Sequence, residues 1–239
     1  MQPPSILVLF DIDGTLIKPW GRGLTALKRA SLEIFGTFGK MDGVTFSGMT
    51  DWQILIAALA DAGITADDIT PKIPAFNTCL ARHIADMLAE GPLEPCPGAP
   101  DVVNALAANP DVVIGLVTGN MSEIVREKLV SAHYDPADFS VGAFGSEGWE
   151  RSMLPPLALK RAEELTGAHF APEGVIVVGD TPMDIACAGS IGARTLAVGT
   201  GPSYTTEELR SYSPTYAFDS MADSHAILAA ILHDGHQSA

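Results

Sequence analysis

An α/β fold, with a Rossmann-like parallel sheet covered by helices on both faces and a separate helical insertion, is predicted by three features of this 239-residue sequence. Four short apolar runs rich in β-branched residues, Ile6 to Phe10, Val112 to Val117, Val175 to Val178 and Thr195 to Val198, recur between helical stretches. Strands that alternate with helices form parallel sheets. The first run leads into Phe10-Asp11-Ile12-Asp13-Gly14-Thr15-Leu16, so two carboxylates stand where a buried strand gives way to a glycine turn. Charge is costly there unless a cation or a reaction needs it. The stretch between the first two runs is too long for one crossover.

That stretch, from about Lys18 to Glu94, reads as several helices, the clearest being Leu24 to Phe35, Asp51 to Ala62 and Phe76 to Glu90. Pro92, Pro95, Pro97 and Gly98 mark the return, and a helix from Pro100 to Ala107 leads into the Val112 strand. Weaker strands are expected at Ser140 to Phe144 and Thr215 to Phe218, and a helix from Pro155 to Leu165 precedes the Val175 strand. The expected division is an α/β core of residues 1–17 and 93–239 with a helical insertion of residues 18–92. Gly235 to Ala239 are expected to fray.

With 14 basic against 29 acidic residues the formal net charge is −15, which argues against nucleic acid and anionic membranes as partners. An anionic substrate would need capture by local groups. Cys79, Cys96 and Cys187 form no CxxC pair and are too few for a disulfide framework. No Lys or Arg precedes the first apolar run, and no stretch approaches the roughly 20 apolar residues of a membrane span. A soluble, unexported protein of the reducing cytoplasm is expected.

The loops after the strong strands fall at the C-terminal edge of the sheet, where open α/β sheets place their ligands. Thr118-Gly119-Asn120 follows the Val112 strand, with Asn120 and Glu123 spaced like a capping box. A hydroxyl and free N–H groups at a helix start suit a phosphate, although an ordinary capped helix reads the same. Gly179-Asp180-Thr181-Pro182-Met183-Asp184 follows the Val175 strand. Thr181 as cap, Pro182 at the first helical position and Asp184 in the first turn explain the local structure, but capping does not require Asp180. With Asp11 and Asp13 it supplies the carboxylates that a hard, oxygen-seeking Mg²⁺ prefers. Two cations precede the Val175 strand. Lys160 lies within a helix and Arg151 just before it, roughly 13 Å apart if all were helical, and Arg151 is favoured because its segment should run near the sheet's C-terminal edge.

The ordered set FDIDGTL, VTGN, a basic residue before a helix and VVGDTPMD resembles the haloacid dehalogenase-like superfamily, in the branch with a helical cap inserted after the first motif. The resemblance implies Asp11 as nucleophile and Asp13 as general acid and base, passing a phosphoryl group through an aspartyl-phosphate to water. It also implies Mg²⁺ held by Asp11, the backbone carbonyl of Asp13 and Asp180, with Asp184 direct or through water. Thr118, Gly119, Asn120 and Arg151 would bind the phosphate. An acid at position 13 sets the chain with phosphatases and phosphomutases of the family. Arg151-Ser152 departs from the Lys-Pro often found at the third motif. The implied activity is a phosphatase acting on a small phosphorylated metabolite, with phosphoglycolate as the family-level expectation. A phosphomutase and a non-catalytic phosphate-binding module are the alternatives.

The cap should choose the substrate. Within it Ser47-Gly48-Met49-Thr50-Asp51-Trp52 is a turn opening a helix, with Thr50 or Asp51 as cap and either as a specificity residue, while Lys18 and Arg22 could meet a second anion. Trp20, Trp52 and Trp149 could shield the site or pack in the core. A calcium loop starting at Asp11 fails because Leu16 and Arg22 occupy its sixth and twelfth positions. Gly21-Arg22-Gly23-Leu24-Thr25-Ala26 stands too far from the strand for a dinucleotide turn and suits a hinge. Cys79 with His83, and His233 with His236, lack nearby partners for a zinc site.

Overall fold

The computed structural model of the chain describes residues 3–18, 21–43 and 46–232. Strand β1 (Ile6–Phe10) is buried along its whole length. Ile6, Val8 and Phe10 enter one hydrophobic cluster, and Leu7 and Leu9 another on the opposite face, as the two-residue period of a doubly covered strand requires. Strands β2 (Val112–Thr118), β3 (Val141–Phe144), β4 (Val175–Gly179), β5 (Arg194–Val198) and β6 (Tyr216–Phe218) complete the sheet. Its order is β3-β2-β1-β4-β5-β6, and every pair is parallel. The chain runs outward from β1 to β3, then crosses to β4 on the other side. The switch in direction therefore falls beside β1, where such sheets open a crevice.

The α-helices described between β1 and Gly91 are α1 (Arg22–Phe35), α2 (Asp51–Leu59), α3 (Ala66–Ile69) and α4 (Ile73–Ala89). They share a hydrophobic cluster that includes Leu27, Leu55, Phe76 and Leu80. In α1 the buried residues Ala26, Leu27, Ala30 and Ser31 form one stripe at helical spacing. Thr50 caps α2 through a reciprocal box with Gln53. Helix α4 starts a turn before Phe76 because Pro74 suits its first turn. The two connections to the sheet run side by side: Lys18 N–H donates to the Glu94 carbonyl at 2.9 Å, and Arg22 donates to the Gly91 carbonyl at 2.7 Å.

Helices α5 (Ala99–Ala107), α6 (Ser122–Ser131), α7 (Leu154–Thr166), α8 (Pro182–Ala188), α9 (Thr206–Arg210) and α10 (Ser224–Leu232) follow. Residues of α5, α6 and α10 join the Ile6, Val8 and Phe10 cluster, and residues of α7 and α8 join the other. The predicted box between Asn120 and Glu123 does not form: α6 begins at Ser122, with Met121 as cap and no side-chain capping bond. The Asn120 amide has stronger partners, described below. All three cysteines are buried and unpaired. No described helix is long and apolar enough to cross a membrane. Trp20, His233, His236 and the tail from Gly235 to Ala239 lie outside the described residues.

Burial, not hydrophobicity as such, should govern the response to truncation. Leu9 is fully buried in β1, whereas Leu32 on α1 is 53% exposed. Leu9→Ala is expected to lower the unfolding free energy by about 2–5 kcal/mol and Leu32→Ala by less than about 1 kcal/mol, as read from urea titrations. Equal losses would contradict the placement of β1 in the core.

Candidate active site

The C-terminal ends of β1, β2 and β4 are neighbours, so their loops meet. Asp11 continues the β1–β4 ladder one step past the strand, its N–H donating to the Val178 carbonyl at 2.9 Å. The chain then folds back, with Ile17 N–H donating to the Ile12 carbonyl at 2.9 Å and Gly14 N–H to the Ile17 carbonyl at 2.8 Å. Gly14 has φ +90°, and a β-carbon there would run into the Asp180 carboxyl group. Only glycine meets both conditions without strain. Thr15 Oγ1 donates to Asp180 Oδ1 at 3.2 Å.

Asp11, Asp180 and Asp184 are all buried and bring carboxylate oxygens within 4.8 Å of one another. Arg151 is buried among them. Its Nη2 lies 3.0 Å from Asp11 Oδ1 and also pairs with Asp184, while Nη1 donates to the Gly48 carbonyl at 3.0 Å. Three carboxylates face one guanidinium. Burial pushes the Asp11 carboxyl up to about 6 despite the opposing pull of Arg151. Burial, reinforced by Asp184 and Asp11, holds Asp180 well above the usual carboxylate range. Burial works against the charge on Arg151, but the carboxylates of Asp184 and Asp11 outweigh it and raise its pKa. A hard divalent cation would supply the missing positive charge, and the donors are all oxygen, so the residues fit Mg²⁺. Asp184 is the most committed of the three. Its Oδ2 accepts from Thr181 N–H at 3.0 Å and from Thr181 Oγ1 at 2.7 Å, and its Oδ1 accepts from Arg151.

Asp13 sits at the same rim under a second cation. Lys128 Nζ lies 2.6 Å from Asp13 Oδ1 and 2.5 Å from Oδ2 and donates to Asn120 Oδ1 at 2.9 Å. Asn120 Nδ2 donates to Asp13 Oδ2 and to Thr118 Oγ1, each at 2.8 Å. The predicted phosphate loop is thus wired into the Asp13 carboxylate. Lys128 was not among the sequence candidates, yet it left a signal. It shares the buried face of α6 with Ile124, Val125 and Leu129, and a lysine on an apolar stripe is seldom buried without a partner.

The loop from Ser47 to Trp52 faces this rim. Asp51 N–H donates to the Gly119 carbonyl at 2.8 Å, and a β-carbon on Gly119 would strike the Met49 carbonyl. Asp51 does not cap α2, a duty that falls to Thr50. Instead its Oδ2 accepts from Met121 N–H at 3.0 Å, and burial pushes its carboxyl up to about 7. Thr50 is also tied to the core, donating to the Trp149 carbonyl at 3.1 Å. A cavity of about 520 Å³ lies between loop and sheet, lined in part by Asp11, Asp13, Asp51, Thr118, Arg151 and Asp180.

Other candidates lie elsewhere. Lys160 is on the surface of α7, 3.7 Å from Glu164. Lys18 pairs with Glu94 at 3.0 Å, and Arg22 fastens the connection at Gly91. Trp149 is exposed. Cys79 and His83 do gain a third group, Glu33 of α1, contrary to the expectation that none is near. Arg82, however, already donates to Glu33 at 2.5 Å and to Cys79 Sγ at 3.4 Å.

Comparison with known proteins accords with this geometry. The family model for haloacid dehalogenase-like hydrolase matches residues 8–198. No curated protein matches the chain in sequence. Similar solved structures include a predicted phosphoglycolate phosphatase from Haemophilus somnus, with 21% identity and TM-score 0.67 over 95% of this chain and 99% of that one. CbbY from Rhodobacter sphaeroides, a mutant in complex with xylulose-(1,5)bisphosphate, has 19% identity and TM-score 0.70 over 92% and 96%. A Bacteroides vulgatus protein provisionally assigned as a β-phosphoglucomutase has 19% identity and TM-score 0.70 over 99% and 92%. At such identities these structures share the fold, while the family match spans most of the chain. With its acidic cluster at the crevice of a β3-β2-β1-β4-β5-β6 sheet, this chain belongs to the haloacid dehalogenase-like hydrolase family.

Proposed function

We propose that the chain is a Mg²⁺-dependent phosphatase that hydrolyses a small phosphomonoester through an aspartyl-phosphate on Asp11. The observation that carries this reading is the buried Asp11 carboxylate, which lines the cavity, touches Arg151 at 3.0 Å and shares a cluster with Asp180 and Asp184. Such a carboxylate is fixed in place, and its burial strips the water that would otherwise blunt it as a nucleophile.

An Asp11 oxygen attacks phosphorus as the ester P–O bond breaks, and Asp13 delivers a proton to the leaving oxygen. Asp13 then takes a proton from water, the water oxygen attacks phosphorus, and the bond to Asp11 breaks, returning both carboxyl groups to their starting states. Arg151, Thr118 and the Gly119-Asn120 backbone bind the phosphoryl group. Lys128 and Asn120 are positioning residues that hold Asp13 at the rim. Mg²⁺, held by Asp11, the Asp13 carbonyl and Asp180 with Asp184 beside them, would neutralise charge on the phosphoryl oxygens. Residues 18–92 act as a cap over a core of residues 1–17 and 93–239, with Thr50 and Asp51 on the specificity side. Three unpaired buried cysteines accord with a cytoplasmic setting.

Release of phosphate from an aryl phosphate should require Mg²⁺, stop with EDTA and resume with added metal. Asp11→Asn should cut turnover by about 10⁴-fold or more while the melting temperature moves by only a few degrees; retained turnover would refute the nucleophile. Phosphate returned to a second hydroxyl of a sugar instead of to water would mark a phosphomutase.

Substitutions of Lys128, Arg151 and Lys160 check the remaining assignments. Lys128→Met is expected to lower kcat by about 10²-fold with KM nearly constant, since it disturbs proton transfer and not phosphate capture. A rise in KM with kcat unchanged would contradict that role. Arg151→Ala should raise the inhibition constant of inorganic phosphate at least about 10-fold, and Lys160→Ala should leave it unchanged.

A further inference from the structure

Resting on the phosphatase reading, the cavity also specifies the alcohol half of its ester. The floor is polar, but the roof is carbon: Leu24 and Leu27 of α1, Phe46 and Met49 of the loop, Ile54 of α2 and Leu80 of α4 line it, and Ile124 of α6 joins them. Leu27, Leu80 and Ile124 are core residues of the helical cluster, against which Leu24, Phe46 and Met49 pack. The apolar wall is thus part of a packed scaffold.

Charge is distributed the same way. Among the described residues that line the cavity, the basic ones are Arg151 and Lys18. Arg151, held by Asp11, Asp184 and the Gly48 carbonyl, serves the phosphoryl floor, and Lys18 pairs with Glu94. Other cations of the helical insertion are tied elsewhere: Lys28 to Asp42, Lys40 to Asp61 and Arg82 to Glu33. The ionisable group contributed by α2 is Asp51, a carboxyl. A second phosphate or a carboxylate on the substrate would meet no cation from α1, α2 or α4 among the described lining residues, only Lys18 ahead of α1, already paired with Glu94, and would approach the Asp51 carboxyl. Away from Ser47, Asp51 and Lys18, sugar hydroxyls would face the carbon of Leu24, Leu27, Ile54 and Leu80, leaving most of their hydrogen bonds unmade. The volume of about 520 Å³ lies within the range of sites that enclose a whole small molecule, far beyond what a two-carbon acid fills.

We infer that the substrate is a monophosphate ester of an uncharged, predominantly apolar alcohol, aryl or alkyl, whose hydrocarbon portion fills the space under α1, α2 and α4. This departs from phosphoglycolate, whose carboxylate would meet no cation of α1, α2 or α4 among the described lining residues.

The test is a series of n-alkyl phosphates from ethyl to octyl, alongside phosphoglycolate, glucose 1-phosphate and an ω-carboxyhexyl phosphate, with Mg²⁺ present. The kcat/KM should rise about 2–4-fold per added methylene until the cavity is full. The carboxylated ester should fall at least about 10-fold below hexyl phosphate. A flat series, or a preference for phosphoglycolate or the sugar phosphate, overturns the inference while leaving the phosphatase intact. Turnover of none of the esters counts against the phosphatase reading instead. Calorimetric binding of hexyl phosphate and phosphoglycolate to Asp11→Asn protein then decides the apolar preference by itself: tighter hexyl phosphate supports it and the reverse ends it. Leu24→Lys and Met49→Lys, both at half-buried wall positions, should each shift the ratio of rates at least about 10-fold toward the carboxylated ester; no shift in a variant that melts normally would place the alcohol elsewhere.

Discussion

The burial of three carboxylates around one guanidinium is the constraint on which the rest of this molecule is arranged. Asp11, Asp180 and Asp184 share a space within 4.8 Å, and a single buried arginine cannot balance them. The surroundings are built to bear that cost. Asp180 accepts the Thr15 hydroxyl, Asp184 accepts the amide and hydroxyl of Thr181, and Asp11 and Asp184 share Arg151. The turn at Gly14 gives up its side chain so that the Asp180 carboxyl can approach. What remains is a concentration of negative charge on hard oxygen donors at the crevice of the sheet. That explains why burial drives the carboxyls of Asp11 and Asp180 upward and why a divalent cation would relieve the site.

A second cation divides the work. Lys128 has no tie to the three-carboxylate cluster and instead grips both oxygens of Asp13, with Asn120 completing the clamp. In the proposed reaction the attacking carboxylate and the proton-transferring carboxylate therefore have separate supports, Arg151 from the segment before α7 and Lys128 from α6. Proximity alone would make Asp11 and Asp13 compete for the same cation. Holding them from different elements keeps each pointed at its own task.

The helical insertion closes the site from the other side. Its loop at Met49 to Asp51 lies against Gly119, so a side chain at position 119 would push the roof away from the floor. Helix α6 belongs to both parts, since Ile124 joins the insertion's cluster while Val125 and Leu129 join that of the sheet. In the proposed reaction the two sides divide recognition, with the ionic side toward the phosphoryl group and the carbon of α1, α2 and α4 toward the rest of the ester.

Much of this was legible in the residues. Apolar runs with β-branched character predicted β1, β2, β4 and β5, because a strand covered on both faces must be apolar throughout, whereas the short β3 and half-buried β6 gave only weaker signals. Asp11, Asp13, Asp180 and Asp184 were evident since strand ends in a parallel sheet share one edge. Arg151 was preferred to Lys160 on position; the structure buries Arg151 against Asp11 and leaves Lys160 on the surface of α7. The failures came where a side chain had two possible partners. Asn120 and Glu123 have capping-box spacing, but Asp13 and Lys128 compete for the Asn120 side chain and win. Glu33 joins Cys79 and His83 only through the packing of α1 on α4, which no local spacing records. The strands and the acidic loops at their ends could be read from the residues alone, since these follow from local patterns of polarity. The tertiary structure decided that Lys128 reaches Asp13 from 115 residues away and that the roof is apolar, because both depend on which helix faces meet across the crevice.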